Sequence, residues 1–299
     1  MTTPLPLTSV IMVSYHTGPV LDKAIAAVLA QTAPVELILV NNGNPPETEA
    51  KLAAQSAAEP RLRFVTGQGN VGFSKGCNRG AGEAKGEFLL FLNPDSLLPP
   101  TAIATLHGHA ATLQRPYMLG ARLVDGKGQD QRGCRRALLT PFNAAIETLR
   151  LEEVFPQCRL NYHKDPVPQT ITPMPAISGA FMFLAADDFR AIKGFDERYF
   201  LHVEDMDLCL RFRHAEGEIY FVPDVVVTHI GGTSKAPSLF IERHKARGVI
   251  RYFHEHYSHA YPQPVLWLFD AAIWLRLGVK AGLAALKDAV TFKPVPQPK

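Results

Sequence analysis

Asp95 closes the run Phe91-Leu92-Asn93-Pro94-Asp95-Ser96, in which an apolar stretch ends on a carboxylate. A buried strand that stops on an acid projects it into the cleft beyond a sheet edge. There it can ligate a hard divalent cation that also takes phosphate oxygens. Ordinary turn chemistry fits the same residues, because Asp before Ser readily caps a turn. A second acidic locus, Glu204-Asp205-Met206-Asp207, puts three carboxylates within four residues. Their repulsion costs stability unless a cation or a proton-transfer role compensates. A helix beginning near Glu204 would place these acids at its positive end. Asp207 precedes Arg211 by four residues, the spacing of a structural ion pair on a helix, so Asp205 is the better candidate for chemistry.

Two further segments could meet an anion. His229, in Thr228-His229-Ile230-Gly231-Gly232-Thr233, follows a valine-rich strand and leads into a glycine turn that lets backbone and phosphate approach closely. A lone histidine of this kind is also compatible with a satisfied core residue. Asn70-Val71-Gly72-Phe73-Ser74-Lys75-Gly76-Cys77-Asn78-Arg79-Gly80 is glycine-spaced at a helix start, a setting suited to anions. It departs from the dinucleotide fingerprint, whose glycines directly follow a first strand with an acid further on.

The elements that must carry these residues alternate. Val10–Tyr15, Glu36–Val40, Leu62–Val65 and Phe88–Leu92 are predicted as buried parallel strands, with helices over Pro19–Ala30, Glu47–Ala58 and Gly72–Ala84 between them. That alternation predicts an α/β fold with a mostly parallel sheet covered on both faces, whose ligands bind beyond the carboxyl ends of the strands. Ser14, Tyr15, Asn41 and Asp95 fall at such ends. From about 122 to 175 the chain is proline-rich and reads as a loop-rich excursion over one face, a place where a substrate is chosen. Gly179–Leu184 reads as a strand, Ala186–Ile192 and Glu204–His214 as helices, and Tyr220–Val222 and Val225–Val227 as strand-like pieces around Pro223-Asp224.

Ser238–His259 is a basic helix, and Val265–Val290 is an amphipathic one with Arg276, Lys280 and Lys287 on one stripe and Leu268, Ala272, Leu275, Val279, Leu283 and Leu286 together elsewhere. Asp270 and Arg276 interrupt its apolar run too early for a span of about 20 residues. A membrane-surface helix and packing, against the domain or in a homodimer, fit it equally.

Composition excludes some classes. A formal charge of +3 over 299 residues makes no electrostatic case for nucleic acid. The cysteines, Cys77, Cys134, Cys158 and Cys209, are scattered without a CxxC pair, which fits a reducing cytosol. The first residues carry no basic region followed by an apolar run, so a cytoplasmic location is expected, with any membrane contact peripheral at the inner face.

Taken in order, these segments resemble family 2 glycosyltransferases of the GT-A fold, particularly bacterial rhamnosyltransferase-like members. The stretches that carry the resemblance are Val13-Ser14-Tyr15, Val40-Asn41-Asn42, Asn70-Val71-Gly72-Phe73 with Asn78-Arg79-Gly80, Phe91-Leu92-Asn93-Pro94-Asp95, Ser178-Gly179-Ala180-Phe181, Gly194-Phe195-Asp196-Glu197-Arg198-Tyr199-Phe200, Glu204 through Arg211, and His229-Ile230-Gly231-Gly232-Thr233-Ser234. They run from about residue 8 to 235. The resemblance therefore implies a Rossmann-like GT-A nucleotide-sugar-binding domain over 1–235, followed by a C-terminal helical extension over 236–299.

It also implies roles. Tyr15 and Asn41 would hold the nucleotide base. Ser14, Asn70, Gly72, Phe73, Asn78, Asn93 and Gly179 would complete the donor pocket. Asp95, in the place of the last acid of the family's DxD motif, and His229 would bind Mg2+ or Mn2+, and Asp205 would be the catalytic base of an inverting transfer. Asn93 stands where many relatives have the first acid of DxD, and Asn41 where an Asp often meets the base. The amide of Asn41 can still pair with the imide edge of uracil or thymine. The implied donor is a dTDP- or UDP-sugar, dTDP-rhamnose first, and the implied acceptor a glycan or lipid-linked saccharide in cell-surface polysaccharide synthesis. The competing reading is a catalytically silent nucleotide-sugar or glycan-binding protein on the same scaffold; a silent binder has no use for the base that Asp205 would supply.

Overall fold

The computed structural model describes residues 4–234 and 237–291, with side chains through 283. The predicted stripe positions Leu286 and Lys287 therefore lie outside the described side chains. The chain divides into two compact units, Met1–Lys235 and Ala236–Lys299.

The first unit opens with β1 (Thr8–Ser14), every residue of which is buried, as a strand covered on both faces requires. Helix α1 (Val20–Leu29) turns Leu21, Ala24, Ile25 and Val28 inward at helical spacing. Then follow β2 (Val35–Asn41), α2 (Pro46–Ala58) with proline at its first turn, β3 (Leu62–Val65), α3 (Phe73–Gly82) and β4 (Phe88–Leu92). β3, β2, β1 and β4 lie side by side in parallel, with Ser14 opposite Asn41. Full burial of each Val, Leu or Ile in these strands contributes roughly 1.5–3 kcal/mol.

Beyond β4 come β5 (Ser96–Leu97), α4 (Ala102–Ala110), β6 (Tyr117–Val124), β7 (Arg135–Arg136), α5 (Pro141–Thr148), β8 (Thr172–Pro173) and β9 (Ala176–Ile177). The unit continues with β10 (Phe181–Ala185), α6 (Ala186–Ala191), α7 (Glu204–His214) and β11 (Glu218–His229). The nine-stranded sheet has the order β3-β2-β1-β4-β10-β6-β11-β5, with β8 on the side of β11. β1, β2, β3, β4, β6 and β11 share one direction. β10 runs against both of its neighbours.

This reversal positions the site. Because β10 is antiparallel to β4, Phe181 at its start sits opposite Leu92 at the end of β4. Residues 178–180 and 93–95 thereby share one edge of the sheet with the ends of β1, β2 and β11.

Several boundaries differ from the sequence expectation. Gly179 and Ala180 form a turn before β10 rather than its first residues. The two pieces around Pro223-Asp224 are one long strand, because β11 absorbs that pair as an irregularity between Val222 and Val226 against β6. The excursion from 122 holds the end of β6, short ladders and α5. That helix starts on a capping box in which Thr140 and Asn143 satisfy each other's backbone.

The second unit is a helix pair, α8 (Ser238–Tyr257) and α9 (Gln263–Thr291). It is joined by Phe253 against Phe269, His254 to Asp270 at 2.8 Å and Lys280 to Glu242 at 2.8 Å.

Candidate active site

Asp95 is buried one residue past the Asn93-Pro94 exit of β4. β5, which starts at the next residue, pairs with the end of β11, setting Ser96 opposite His229, and Ile230 N–H donates to the Asp95 carbonyl at 3.1 Å. That short ladder brings the carboxylate and the imidazole together. His229 Nε2 lies 3.2 Å from Asp95 Oδ1 and 3.2 Å from Asn93 Nδ2. Thr233 Oγ1 donates to Asp95 Oδ2 at 2.9 Å. Burial works against the charged carboxyl, but the contacts of His229 and Thr233 outweigh it and hold Asp95 below its ordinary range.

The tautomer of His229 follows from Gln131. Gln131 Nε2 donates to the His229 main-chain oxygen at 2.5 Å, which turns Oε1 toward Nδ1 at 2.6 Å. An amide oxygen only accepts, so Nδ1 carries a proton, and Nε2 is the nitrogen left to donate to Asp95 or, once deprotonated, to meet a cation. Nε2 and the Asp95 oxygen face each other across 3.2 Å. A cation between them would resolve the arrangement.

Asp205 forms the second centre. The preceding residues His202 and Val203 take left-handed backbone angles, φ 67° and 73°, and start α7 without a side-chain cap. Asp205 Oδ1 accepts the Met206 N–H at 2.8 Å, and Oδ2 accepts the Gly179 N–H at 3.0 Å. A Cβ on Gly179 would lie 3.0 Å from the Asp205 Cβ, so a side chain at 179 would press on the carboxylate and push it back. Arg136 Nη2 donates to Oδ2 as well, and to the Ile177 carbonyl at 2.6 Å. Burial opposes ionisation of Asp205, yet the Arg136 charge and bond prevail, and its pKa is lowered. Glu204 beside it differs. Burial first and the Asp205 charge second push its carboxyl up to about 8, and Oε2 has no hydrogen-bond partner.

The two centres are linked through backbone. Asn93 N–H donates to Ala180 O at 3.0 Å, one residue from the amide that holds Asp205. Asp207 is separate from both: Arg211 clamps it at 2.7 Å and also donates to the carbonyls of Ile192 and Gly194, a structural brace.

The remaining predicted residues divide by what their atoms already do. Ser14 is buried, and its oxygens bond to Asn42 N–H, Asn44 and Thr17. Asn41 donates to Thr66 at 3.0 Å, and its Oδ1 receives both the backbone and side-chain N–H of Asn44. The second N–H of that amide has no partner among the described residues. Tyr15 is half-buried, its ring edge-on to His16. Asn70 Oδ1 receives Asn42 Nδ2 and Gly72 N–H. Gly72 has φ +87°, and a Cβ there would lie 2.6 Å from the Phe200 carbonyl, which accepts the Phe73 N–H at 2.7 Å. The ring of Phe73 packs edge-on to Phe195. Asn78 takes both the N–H and the carbonyl of Phe195, at 2.9 and 2.8 Å, and reaches Glu197. It thus fastens the 194–197 turn to α3.

Sequence reasoning missed Gln131, Arg136, Thr233, Asn42 and Asn44. Gln131 and Arg136 sit in the loop-rich excursion, where no period marks them. Asn42 and Asn44 were visible as a polar cluster after β2, but only the fold shows that they latch the strand ends.

The family model described as Glycosyl transferase family 2 matches residues 9–161. N-acetylglucosaminyl-diphospho-decaprenol L-rhamnosyltransferase of Mycobacterium tuberculosis (strain ATCC 25618 / H37Rv) is 27% identical over 303 residues, covering 92% of each chain. GalNAc-T7, solved with UDP, GalNAc and Mn2+, aligns with a TM-score of 0.60 and 18% identity over 83% of this chain, which spans 48% of that protein. The mannosyltransferase PcManGT from Pyrobaculum calidifontis, solved with GDP-Man and Mn2+, aligns with a TM-score of 0.57 and 16% identity over 98% of this chain and 77% of its own. These likenesses are to GT-A glycosyltransferases, and the fold described above is GT-A.

Proposed function

The chain belongs to glycosyl transferase family 2, and from that premise we propose that it transfers a sugar from a nucleotide-sugar donor to an acceptor hydroxyl with inversion, Asp205 acting as base. One observation carries the reading: a carboxylate–imidazole pair, Asp95 and His229, and a backbone-anchored carboxylate, Asp205, stand on one sheet edge joined through Asn93 and Ala180.

Asp95 and His229 fit a divalent cation, since a hard oxygen and the imidazole Nε2 face each other 3.2 Å apart while Gln131 holds a ring proton on Nδ1, so that Nε2 would give its lone pair to the metal. Among the described residues no group of three or more His, Cys, Asp or Glu could hold a metal, so oxygens of the donor diphosphate and water would complete its shell. A bound Mg2+ or Mn2+ would supply charge stabilisation to the departing nucleoside diphosphate. The chain's own part is to orient and to take a proton. Gly179, Met206 and Arg136 fill about three of the four lone-pair sites of Asp205. The remaining one accepts the acceptor hydroxyl proton as that oxygen attacks the anomeric carbon.

The name of the mycobacterial relative supports rhamnose as the first sugar to try and a lipid-linked saccharide as acceptor, with dTDP as the nucleotide that the sequence resemblance puts first. Tyr15 and the free amide hydrogen of Asn41 are the contacts offered to the base, with Asn70, Gly72, Phe73 and Asn93 around them. Wild type and Asp205→Asn should be stabilised against heat alike by dTDP with Mn2+, while transfer by the variant falls by about 10²- to 10⁴-fold. Near-normal turnover would overturn the base; no stabilisation by any nucleoside diphosphate would overturn the donor.

A further inference from the structure

The second unit shows a surface that the transfer reaction does not use. Phe269, Asp270 and Lys280 mark the side of α9 that meets α8. On the other side, Trp267, Leu268, Trp274, Leu275, Val279 and Leu283 are exposed by 61%, 71%, 43%, 70%, 54% and 62%. At 3.6 residues per turn these six fall within about half the circumference. The exposed gaps between them are Ala271, Ala272, Gly278 and Gly282. No acid lies among them, and Arg276 borders the arc beside Leu283. An apolar face this continuous marks an interaction site rather than ordinary surface.

Charge separates the two units. Residues 1–235 hold 22 Lys and Arg against 24 Asp and Glu, whereas 236–299 hold nine against four. Arg243, Arg247 and Arg251, four residues apart, make an exposed basic stripe along α8. Among the described residues no helix is long and apolar enough to cross a membrane.

We propose that α9 lies in the headgroup layer of an anionic bilayer, with its apolar arc facing the acyl chains and the basic residues of the unit facing the phosphates. A broad apolar face with tryptophans and flanking cations is the make-up of an interfacial helix, and each Lys or Arg near an anionic surface tightens the binding. Gly278 and Gly282 have the spacing of a close helix–helix contact, the feature that favours a second copy. Against that occupant, two copies of so basic a unit would repel when placed face to face. The inference stands on this unit alone and survives any outcome at the sugar site.

The test needs no label, because the only two tryptophans of the chain, Trp267 and Trp274, both sit on the arc. The full-length protein is mixed with phosphatidylcholine vesicles containing 30% phosphatidylglycerol, and with phosphatidylcholine vesicles alone. With anionic vesicles the tryptophan emission should shift to the blue and be quenched by brominated acyl chains, with binding at least tenfold tighter than to neutral vesicles and weaker in high salt. The double substitution Leu275→Ser with Val279→Ser should weaken binding about tenfold and leave the melting temperature unchanged, since both side chains are exposed. A blue shift that instead follows protein concentration without lipid, with a doubled mass by light scattering, would give the arc to a second copy and overturn the proposal. So would equal binding to both vesicles, or none.

Discussion

Arg136 and the Gly179 amide donate to the same oxygen of Asp205, one from the loop-rich excursion and the other from the turn before β10. The guanidinium is well buried, and it bonds the Ile177 carbonyl besides the carboxylate. A carboxylate in this setting stays charged to low pH, because the Arg136 charge overcomes the burial penalty and lowers the pKa. Asp205 should therefore set no acid limb on kcat/KM above about pH 4, its ordinary value. Arg136→Met should raise the limb by at least one pH unit, and Arg136→Lys by less, because the lysine keeps the charge but cannot reach both acceptors in one plane. An acid limb unmoved by either substitution would show that Arg136 does not tune the base.

Gln131 bonds His229 twice and decides which ring nitrogen turns toward Asp95. Its two bonds, to Nδ1 at 2.6 Å and to the His229 carbonyl at 2.5 Å, fix ring orientation and tautomer together. Removing such an outer partner typically costs 10- to 100-fold in metal affinity. Gln131→Ala should need about that much more Mn2+ for half-maximal activity after removal of metal by chelation, with kcat at saturating Mn2+ close to wild type. A Mn2+ requirement unchanged by the substitution would separate Gln131 from the metal.

Asn78 gives a test of role against position. Its amide bonds both backbone groups of Phe195 and one carboxylate oxygen of Glu197, so the side chain is engaged inside the protein. Leaving the buried backbone groups of Phe195 without it costs about 1–3 kcal/mol. Asn78→Ala should lower the melting temperature by several degrees while nucleotide affinity stays within about twofold. A selective loss of nucleotide affinity at unchanged stability would place Asn78 in the donor pocket instead.

The parallel half of the fold was legible because its strands are continuous apolar runs, and runs of that kind stop where the sheet edge begins. Val10 to Tyr15, Glu36 to Val40 and Phe88 to Leu92 needed only that rule to fall on β1, β2 and β4. The reversal of β10 was not legible, since Phe181 to Ala185 is apolar throughout and an apolar run does not carry direction. β6 and α4 went unread, although α4 buries Ile103, Leu106 and His107, and His107 hydrogen-bonds Thr8 at the start of β1 at 2.9 Å. Asp95, His229 and Asp205 were visible by type and by their order along the chain. Arg136 was not, because a surface loop and a buried ion pair both contain arginines. What separates it from Arg135 is the strand alternation of β7, which sends one toward the Phe221 ring and the other to Asp205.

Glu204 makes the last prediction, one about stability and pH. Its carboxyl is buried, pushed up to about 8 first by burial and then by the Asp205 charge, and Oε2 lacks a partner. In the unfolded chain the same group titrates near its ordinary value of 4.5. Between those two values the folded protein holds a proton that the unfolded chain has released. Stability therefore falls as pH rises through this window, by at most about 1.4 kcal/mol per pH unit. Glutamine keeps the shape of the protonated acid and does not titrate. Glu204→Gln should thus change stability little at pH 5 and raise it at pH 8, flattening the decline between them. Urea unfolding of both proteins at pH 5, 6.5 and 8 measures this directly. A difference between them that is the same at pH 5 and pH 8 would mean that Glu204 is already ionised in the folded protein, with its charge balanced by Arg136.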